Sequence, residues 1–272
     1  MSGAGTRDRW AGGNDYESYV GRWSRRVAQE FLDWLVVPEG ASWLDVGCGT
    51  GALASTISTG AAPASVVAID QSAEFVAHAS RQLDDPRVVF LVGDAAALPL
   101  TGARADAVVS GLLLNFLPDQ RGAVAEWRRV ARPGGTVGAY VWDYADGMQP
   151  IRAFWDAAIA LDPSAGKADE AVRFPDCDPD RLGTLFSDAG LRDVSTRTID
   201  AEAAFRDFDD YWTPFLSGVG PAPGYCAALT PERREALRAR LLDRLSPDGQ
   251  TPISMNARAF AVRGSVPPAQ QG

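Results

Sequence analysis

Three glycines, Gly47, Gly49 and Gly51, alternate along Asp45-Val46-Gly47-Cys48-Gly49-Thr50-Gly51, directly after the apolar run Ser42–Val46. Glycine admits backbone conformations closed to other residues and lets a ligand approach where a Cβ would hold it off. The segment that follows, residues 52–58, reads as the start of a helix, whose free N–H groups and positive dipole end suit an anionic or carboxylate group. Two further apolar runs end in acids: residues 65–69 in Asp70, and Val88–Val92 in Gly93-Asp94-Ala95. A carboxylate at the end of a second strand accepts hydrogen bonds from ribose hydroxyls, and Asp94 is placed to accept from an adenine amino group. An aspartate after a strand also serves as an ordinary helix cap, but three at successive strand ends favour a nucleoside-bearing ligand.

These residues need a scaffold of alternating strands and helices. Residues 24–35 carry apolar side chains at helical spacing, and strands then alternate with helices as far as Trp142. Such alternation implies a parallel sheet. The clearest helices are residues 74–83 and 120–131, the latter with Val124, Trp127 and Val130 on one face; residues 136–142 form the fifth strand. Residues 178–189, closed by Gly190, form a helix leading into a strand at 191–199, and 253–263 form the last strand.

At this level the chain resembles the class I S-adenosylmethionine-dependent methyltransferases, in particular the small-molecule branch similar to quinone-biosynthesis enzymes. The resemblance covers residues 14–145 and rests on the order of its motifs. Leu44-Asp45-Val46-Gly47-Cys48-Gly49-Thr50-Gly51 resembles the family's first motif and Val67-Ala68-Ile69-Asp70 its acidic second strand. Gly93-Asp94-Ala95 with Leu98-Pro99-Leu100 resembles the third-strand motif, Ala105-Asp106-Ala107-Val108-Val109-Ser110 the fourth strand, and Arg132-Pro133-Gly134-Gly135 the turn into the fifth. The resemblance implies an α/β fold, a three-layer Rossmann-like sandwich with a mostly parallel seven-stranded sheet, its last strand antiparallel, and helical insertions forming a substrate lid. It also implies S-adenosyl-L-methionine as cofactor and S-adenosyl-L-homocysteine as product. The cofactor-binding set it suggests is Tyr16, Arg22, Trp23, Asp45, Gly47, Cys48, Gly49, Gly51, Asp70, Gln71, Asp94, Ala95 and Leu112. In one respect the chain departs from many relatives: a histidine-rich turn after the fourth strand is replaced by Leu113-Leu114-Asn115-Phe116-Leu117-Pro118-Asp119.

The expected organisation is an N-terminal helical cap at 1–40, a cofactor-binding core at 41–145, an insertion or lid at 146–177, a core helix and strand at 178–200, a helical substrate lid at 201–252, the last core strand at 253–264 and a tail at 265–272. Both insertions follow strands at the edge where open α/β sheets bind ligands, so they are expected to select the acceptor. The second holds the richest aromatic patch, with Phe208, Tyr211, Trp212 and Phe215 at helical spacing and Tyr225 beyond. Such a stripe usually packs a helix on a core; Tyr211, Trp212, Phe215 and Tyr225, with Trp142 and Asn115, are the candidates for lining an acceptor pocket. That lining suits a planar or largely apolar small molecule. In the N-terminal segment Tyr16, Arg22 and Trp23 are candidates for covering the cofactor's methionine moiety, with the Arg22 fork on its carboxylate. For a proton acceptor the first choice is Asp143, directly after the fifth strand, followed by Tyr144.

Composition narrows the alternatives. A net charge of −9 disfavours nucleic-acid substrates. Three scattered cysteines and a single histidine, His78, resemble neither a disulfide framework nor a zinc site, so no metal is expected. No signal peptide and no apolar run of membrane-spanning length is visible, which leads to the expectation of a cytoplasmic enzyme with no membrane or nucleic-acid partner. Two other readings keep the same cofactor loop. One is a protein that binds S-adenosylmethionine or S-adenosylhomocysteine without methyl transfer, as a structural cofactor or for a cyclisation or rearrangement. The other is a NAD-dependent oxidoreductase, disfavoured because Leu53 stands near where the third glycine of its usual fingerprint would fall.

Overall fold

The computed structural model describes residues 21–268. In chain order the elements are α1 (Arg22–Leu35), β1 (Ser42–Val46), α2 (Ala52–Gly60), β2 (Ser65–Asp70), α3 (Ala73–Gln82), β3 (Val88–Val92), β4 (Ala105–Gly111), α4 (Gln120–Val130) and β5 (Ala131–Trp142). There follow α5 (Gln149–Leu161), α6 (Glu170–Arg173), α7 (Pro179–Asp188), β6 (Arg192–Phe205), α8 (Phe208–Trp212), α9 (Pro221–Ala228), α10 (Pro231–Leu245) and β7 (Ile253–Ser265). Short 3-10 turns stand at Leu114–Phe116, Pro163–Lys167 and Thr213–Leu216.

The chain forms two compact units. The larger comprises Trp23–Asp143, Asp176–Ala201 and, of the described residues, 258–268, and it contains strands β1 to β5 entire. Strand order is β3-β2-β1-β4-β5-β7-β6. Strands β1 to β5 pair in parallel, and β7 lies antiparallel to β5, with Thr136 opposite Ser265 and Trp142 opposite Ala259. Side-chain bonds Ser265–Arg192, Arg263–Ser195 and Arg258–Asp200 run in opposite chain order, so β6 is antiparallel to β7 as well. The fold is the Rossmann-like α/β sandwich with a mostly parallel seven-stranded sheet.

The central strands are buried on both faces, as their apolar runs require: Leu44, Val46, Ala68, Val108, Val109, Val137 and Ala139 are at most 1 % exposed. Helix starts follow from their caps. The Ser72 hydroxyl accepts from Phe75 N–H, Asp119 from Gly122 N–H, and Asp178 from Asp180 and Arg181 N–H. Strand β6 continues past 199 because inward residues keep the two-residue period through Ile199, Ala201 and Phe205. Strand β5 begins at Ala131, before its expected start, because Ala131 pairs with Ala105 ahead of the Pro133–Gly134 turn and regular pairing resumes at Thr136.

The smaller unit comprises Tyr144–Pro175 and Glu202–Ala257, together with Arg22. Its core is aromatic. Phe154 stacks on Phe215 at 4.5 Å, Tyr211 meets Phe205 and Phe215 at 5.2 Å each, and Trp155 meets Tyr225 at 5.2 Å. The Tyr211 hydroxyl donates to the Pro150 carbonyl at 3.0 Å, which satisfies its one buried polar atom.

Candidate functional site

The carboxyl ends of β1, β2, β3 and β4 lie side by side, since Val46 pairs with Ile69, Asp70 with Val92 and Asp45 with Val109. The glycine turn leaves β1 at this edge. Gly47 and Cys48 N–H both donate to the Ile69 carbonyl, and Gly51 N–H donates to the Cys48 carbonyl, closing a tight turn beneath α2. Gly47 has φ +74°, and a Cβ there would overlap the Leu113 side chain, whose Cγ lies 2.9 Å from the position. Gly49 has φ +52° with nothing within 4 Å of where its Cβ would stand. At Gly47 both space and backbone demand glycine; at Gly49 the backbone does, and the adjoining space is open.

Asp70 closes the floor of this turn. One carboxylate oxygen accepts Gly49 N–H at 2.9 Å and the other accepts Ser72 N–H at 2.8 Å. Each oxygen keeps a lone pair for a further donor. Burial raises the carboxyl's pKa, and the two N–H donors act against that rise. Asp45 is fully buried with no hydrogen-bond partner on either oxygen. Its pKa is pushed up to about 8, mainly by desolvation and then by the Asp70 charge; the Ala54 N–H at the start of α2 pulls the other way without closing a hydrogen bond. Cys48 is buried between these two acids, and burial, then the two charges, raise its thiol pKa, so it is no nucleophile.

Asp94 is exposed two residues past β3, its Oδ1 accepting Ala96 N–H at 2.9 Å; Gln71 is exposed beside Asp70. The Trp127 indole donates to the Ala95 carbonyl at 3.0 Å and ties that segment to α4. At the end of β4, Leu112 adopts φ +60°, a strained position for a side chain larger than glycine, while its N–H donates to the Tyr140 carbonyl at 2.8 Å. Asn115 is 8 % exposed, and neither its amide nitrogen nor its amide oxygen has a partner.

Other expected site residues are placed differently. The Arg22 guanidinium is paired with Asp210 through two bonds of 3.0 and 3.2 Å, donates to the Ala204 carbonyl at 3.0 Å and lies 4.3 Å over the Phe205 ring. Its planar fork is bonded within the smaller unit. Trp23 is wholly buried and belongs to the larger unit. Tyr16 lies outside the described residues. Tyr211, Trp212 and Phe215 are at most 5 % exposed and form the aromatic core of the smaller unit; Tyr225 is half-buried against Trp155. Trp142 is 2 % exposed in β5. Asp143 is 4 % exposed with Arg258 at 3.7 Å, so its charge is balanced by a structural ion pair. Tyr144 belongs to the smaller unit, its ring against Phe174 and its carbonyl accepting from Arg152. Sequence reasoning missed Leu113, whose approach to Gly47 no residue pattern announces, and Glu170, a buried acid in the smaller unit.

Residues 44–138 match the model of a methyltransferase domain. The chain is 30 % identical over 176 residues to a demethylmenaquinone methyltransferase of Roseiflexus castenholzii, covering 59 % of this chain and 72 % of that protein. It is 32 % identical over 198 residues to a malonyl-[acyl-carrier protein] O-methyltransferase of Enterobacter lignolyticus, covering 72 % of this chain and 71 % of that one. Among solved structures, a phosphoethanolamine N-methyltransferase 2 of Haemonchus contortus in complex with S-adenosyl-L-methionine shares the fold at 17 % identity and a TM-score of 0.59, over 94 % of this chain and 57 % of that one. Sheet order and the glycine turn after β1 together define a Rossmann-like α/β protein. The chain belongs to the S-adenosylmethionine-dependent methyltransferases. Among the described residues, no helix is long and apolar enough to cross a membrane.

Proposed function

We propose that the protein transfers a methyl group from S-adenosylmethionine to a small, largely planar or apolar acceptor. The observation that carries this reading is the Asp70 carboxylate, fixed by Gly49 and Ser72 N–H and keeping a lone pair on each oxygen for a ribose diol. The unpartnered Asp45 carboxylate and the open space over Gly49 fit the same ligand, one that brings hydrogen-bond donors and approaches the backbone closely. Asp45, Gly47, Cys48, Gly49, Gly51, Asp70, Gln71, Asp94, Ala95 and Leu112 would hold it. When bound, the sulfonium supplies an electrophilic methyl group. The chain's own work is then alignment of the acceptor and exclusion of water, and the proton that a hydroxyl or carbon acceptor releases passes to solvent or to Asp143 at the end of β5. The segments 146–177 and 201–252 are the candidates for the acceptor's selectivity. Relatives named for methylating demethylmenaquinone and malonyl-[acyl-carrier protein] support methyl transfer.

Calorimetric titration with S-adenosylmethionine, S-adenosylhomocysteine and NADH tests the reading. Binding of the first two, followed by a methylene mass gain in an acceptor screen, is the expected result. Binding of NADH alone would replace it with the oxidoreductase reading, and cofactor binding with a product isomeric to its substrate would replace it with cyclisation or rearrangement.

A further inference from the structure

Helix α9 covers a buried acid in the smaller unit. Glu170 is 1 % exposed; Trp155 Nε1–H donates to its Oε2, and its Oε1 has no partner. A carboxylate needs several donors to stay charged out of water, so a single indole N–H leaves the ionised form under-compensated. The charged and titratable groups around it do not make up the difference. Asp169 precedes it and repels a second negative charge, while Arg152 of α5 is held by Asp169 through two contacts of 2.7 Å. On its own helix Arg173 lies over the Phe174 ring at 5.1 Å, and Lys167 of the preceding turn is exposed. From α9 come only the Tyr225 hydroxyl and the Cys226 thiol, both shifted upward by burial and so neutral below pH 8. The Ala222 N–H at the start of α9 favours the carboxylate without closing a hydrogen bond to it.

The two ends of α9 are held differently. At its C-terminal end Arg234 donates to the carbonyls of Cys226, Ala227 and Leu229 at 3.1, 2.9 and 3.1 Å. Its N-terminal end has no side-chain cap and follows Gly218 at φ +72° and Gly220 at φ +93°, torsions that glycine changes at low cost. Ala222 and Cys226, four residues apart and wholly buried, share the covered face of the helix. Tyr225 packs at 5.2 Å against the same Trp155 that bonds Glu170.

We infer that α9 is a pH-sensitive lid of the smaller unit: release of the Glu170 proton to solvent lifts its N-terminal end about Gly218 and Gly220, while Arg234 keeps its C-terminal end in place. Lifting this helix admits water to the carboxylate. The other neighbours yield less readily, since Trp155 is wholly buried in α5 and Asp169 caps α6 while holding Arg152. The lid lies over Phe154 and Trp155, so it controls entry to the aromatic interior of the smaller unit, whichever cofactor the larger unit binds. Covered, the Glu170 carboxyl is pushed up to about 7; solvated, it returns toward 4.5, so opening grows by up to about tenfold per pH unit between the two.

Cys226 reports the lid, because the other two cysteines, Cys48 and Cys177, are buried in the larger unit. The test labels the full chain with N-ethylmaleimide between pH 5.5 and 8 and reads the rate at each cysteine by peptide mass. Dividing by the rates of the urea-unfolded chain removes the ordinary rise in thiolate. The wild-type rate at Cys226 is expected to rise by about 20- to 30-fold over this range relative to Cys48 and Cys177. Glu170→Gln should hold Cys226 at its low-pH rate throughout, since the amide oxygen still accepts from Trp155 and has no proton to lose. A wild-type Cys226 rate that stays flat overturns the inference, and so does one that moves in step with Cys48 and Cys177, which would be global unfolding. A rate that falls with pH overturns it too, because the ionised Glu170 would then be capping α9, and a rise that persists in Glu170→Gln would give the opening to another group. Should that variant fold poorly, the wild-type ratio of Cys226 to Cys177 alone decides between a local lid and global unfolding.

Discussion

At the scale of single residues, Gly49 separates backbone need from ligand need. Its φ of +52° penalises any L side chain, while the space beyond its Cβ position is empty of protein atoms. Gly49→Ala is expected to lower stability by about 1–2 kcal/mol from the left-handed conformation alone. A second effect should be larger: the added methyl group projects into space that the cofactor reading assigns to ligand, so S-adenosylhomocysteine affinity should fall by about tenfold or more. Urea unfolding and calorimetric titration measure the two effects separately. A stability loss with unchanged affinity would remove Gly49 from the binding surface and leave Asp70 to define it. Asp45 shows the opposite relation. Its buried, unpartnered carboxylate is a burden on the fold in the absence of a ligand, the kind of local inconsistency that marks a functional position.

At the scale of elements, Arg22 opens α1 and is bonded to Asp210 of α8, so its contribution is to the packing of the smaller unit. Arg22→Ala is expected to lower stability by about 1–2 kcal/mol, through loss of the bidentate pair and of the guanidinium over Phe205. Cofactor affinity should stay within about twofold. A selective loss of affinity at unchanged melting temperature would restore Arg22 to the site. The sequence was readable where a residue type has few alternative uses. Alternating glycines after a strand carrying Asp45, and an acid at the end of β2, left little but a ligand-approached turn, and β3 ends where its apolar run ends. Reading failed where the deciding fact is a distance or a missing partner. Leu113-Leu114-Asn115-Phe116-Leu117 reads as an apolar run, and nothing in it shows that Asn115 lacks a partner or that Leu113 abuts Gly47. Likewise the bond from Arg22 to Asp210, 188 residues away, is announced by no local pattern. Glu170, in the polar stretch Lys167-Ala168-Asp169-Glu170, is 1 % exposed, and nothing in that stretch announces its burial.

At the scale of the whole molecule, buried acids make stability depend on pH in an unusual direction. Glu170 is pushed up to about 7, first by desolvation and secondarily by Asp169; Trp155 Nε1–H donates to its Oε2, and its Oε1 has no partner. The other charge nearby is Arg152, which is bonded to Asp169 through two contacts of 2.7 Å. Between the ordinary value of 4.5 and about 7 the folded chain retains a proton on Glu170 that the unfolded chain has released. Stability therefore falls as pH rises through that window, by up to about 3 kcal/mol at the conversion of 1.36 kcal/mol per unit. Asp45, raised to about 8, adds a fall of the same sign that extends further toward alkaline pH. Glu170→Gln removes the first contribution. The amide oxygen can still accept from Trp155, and no charge has to be buried, so the variant should match the wild type near pH 5 and exceed its melting temperature at pH 8. Calorimetric scans of both proteins across pH 4.5–8.5 measure the difference. Parallel curves would mean that Glu170 is solvated or paired in the native protein, and a variant less stable at every pH would mean that the carboxylate has a structural partner. A curve for the Glu170→Gln variant that still declines above pH 7 would belong to Asp45, and saturating S-adenosylhomocysteine should flatten it if that buried carboxylate is the one the ligand's hydrogen-bond donors satisfy.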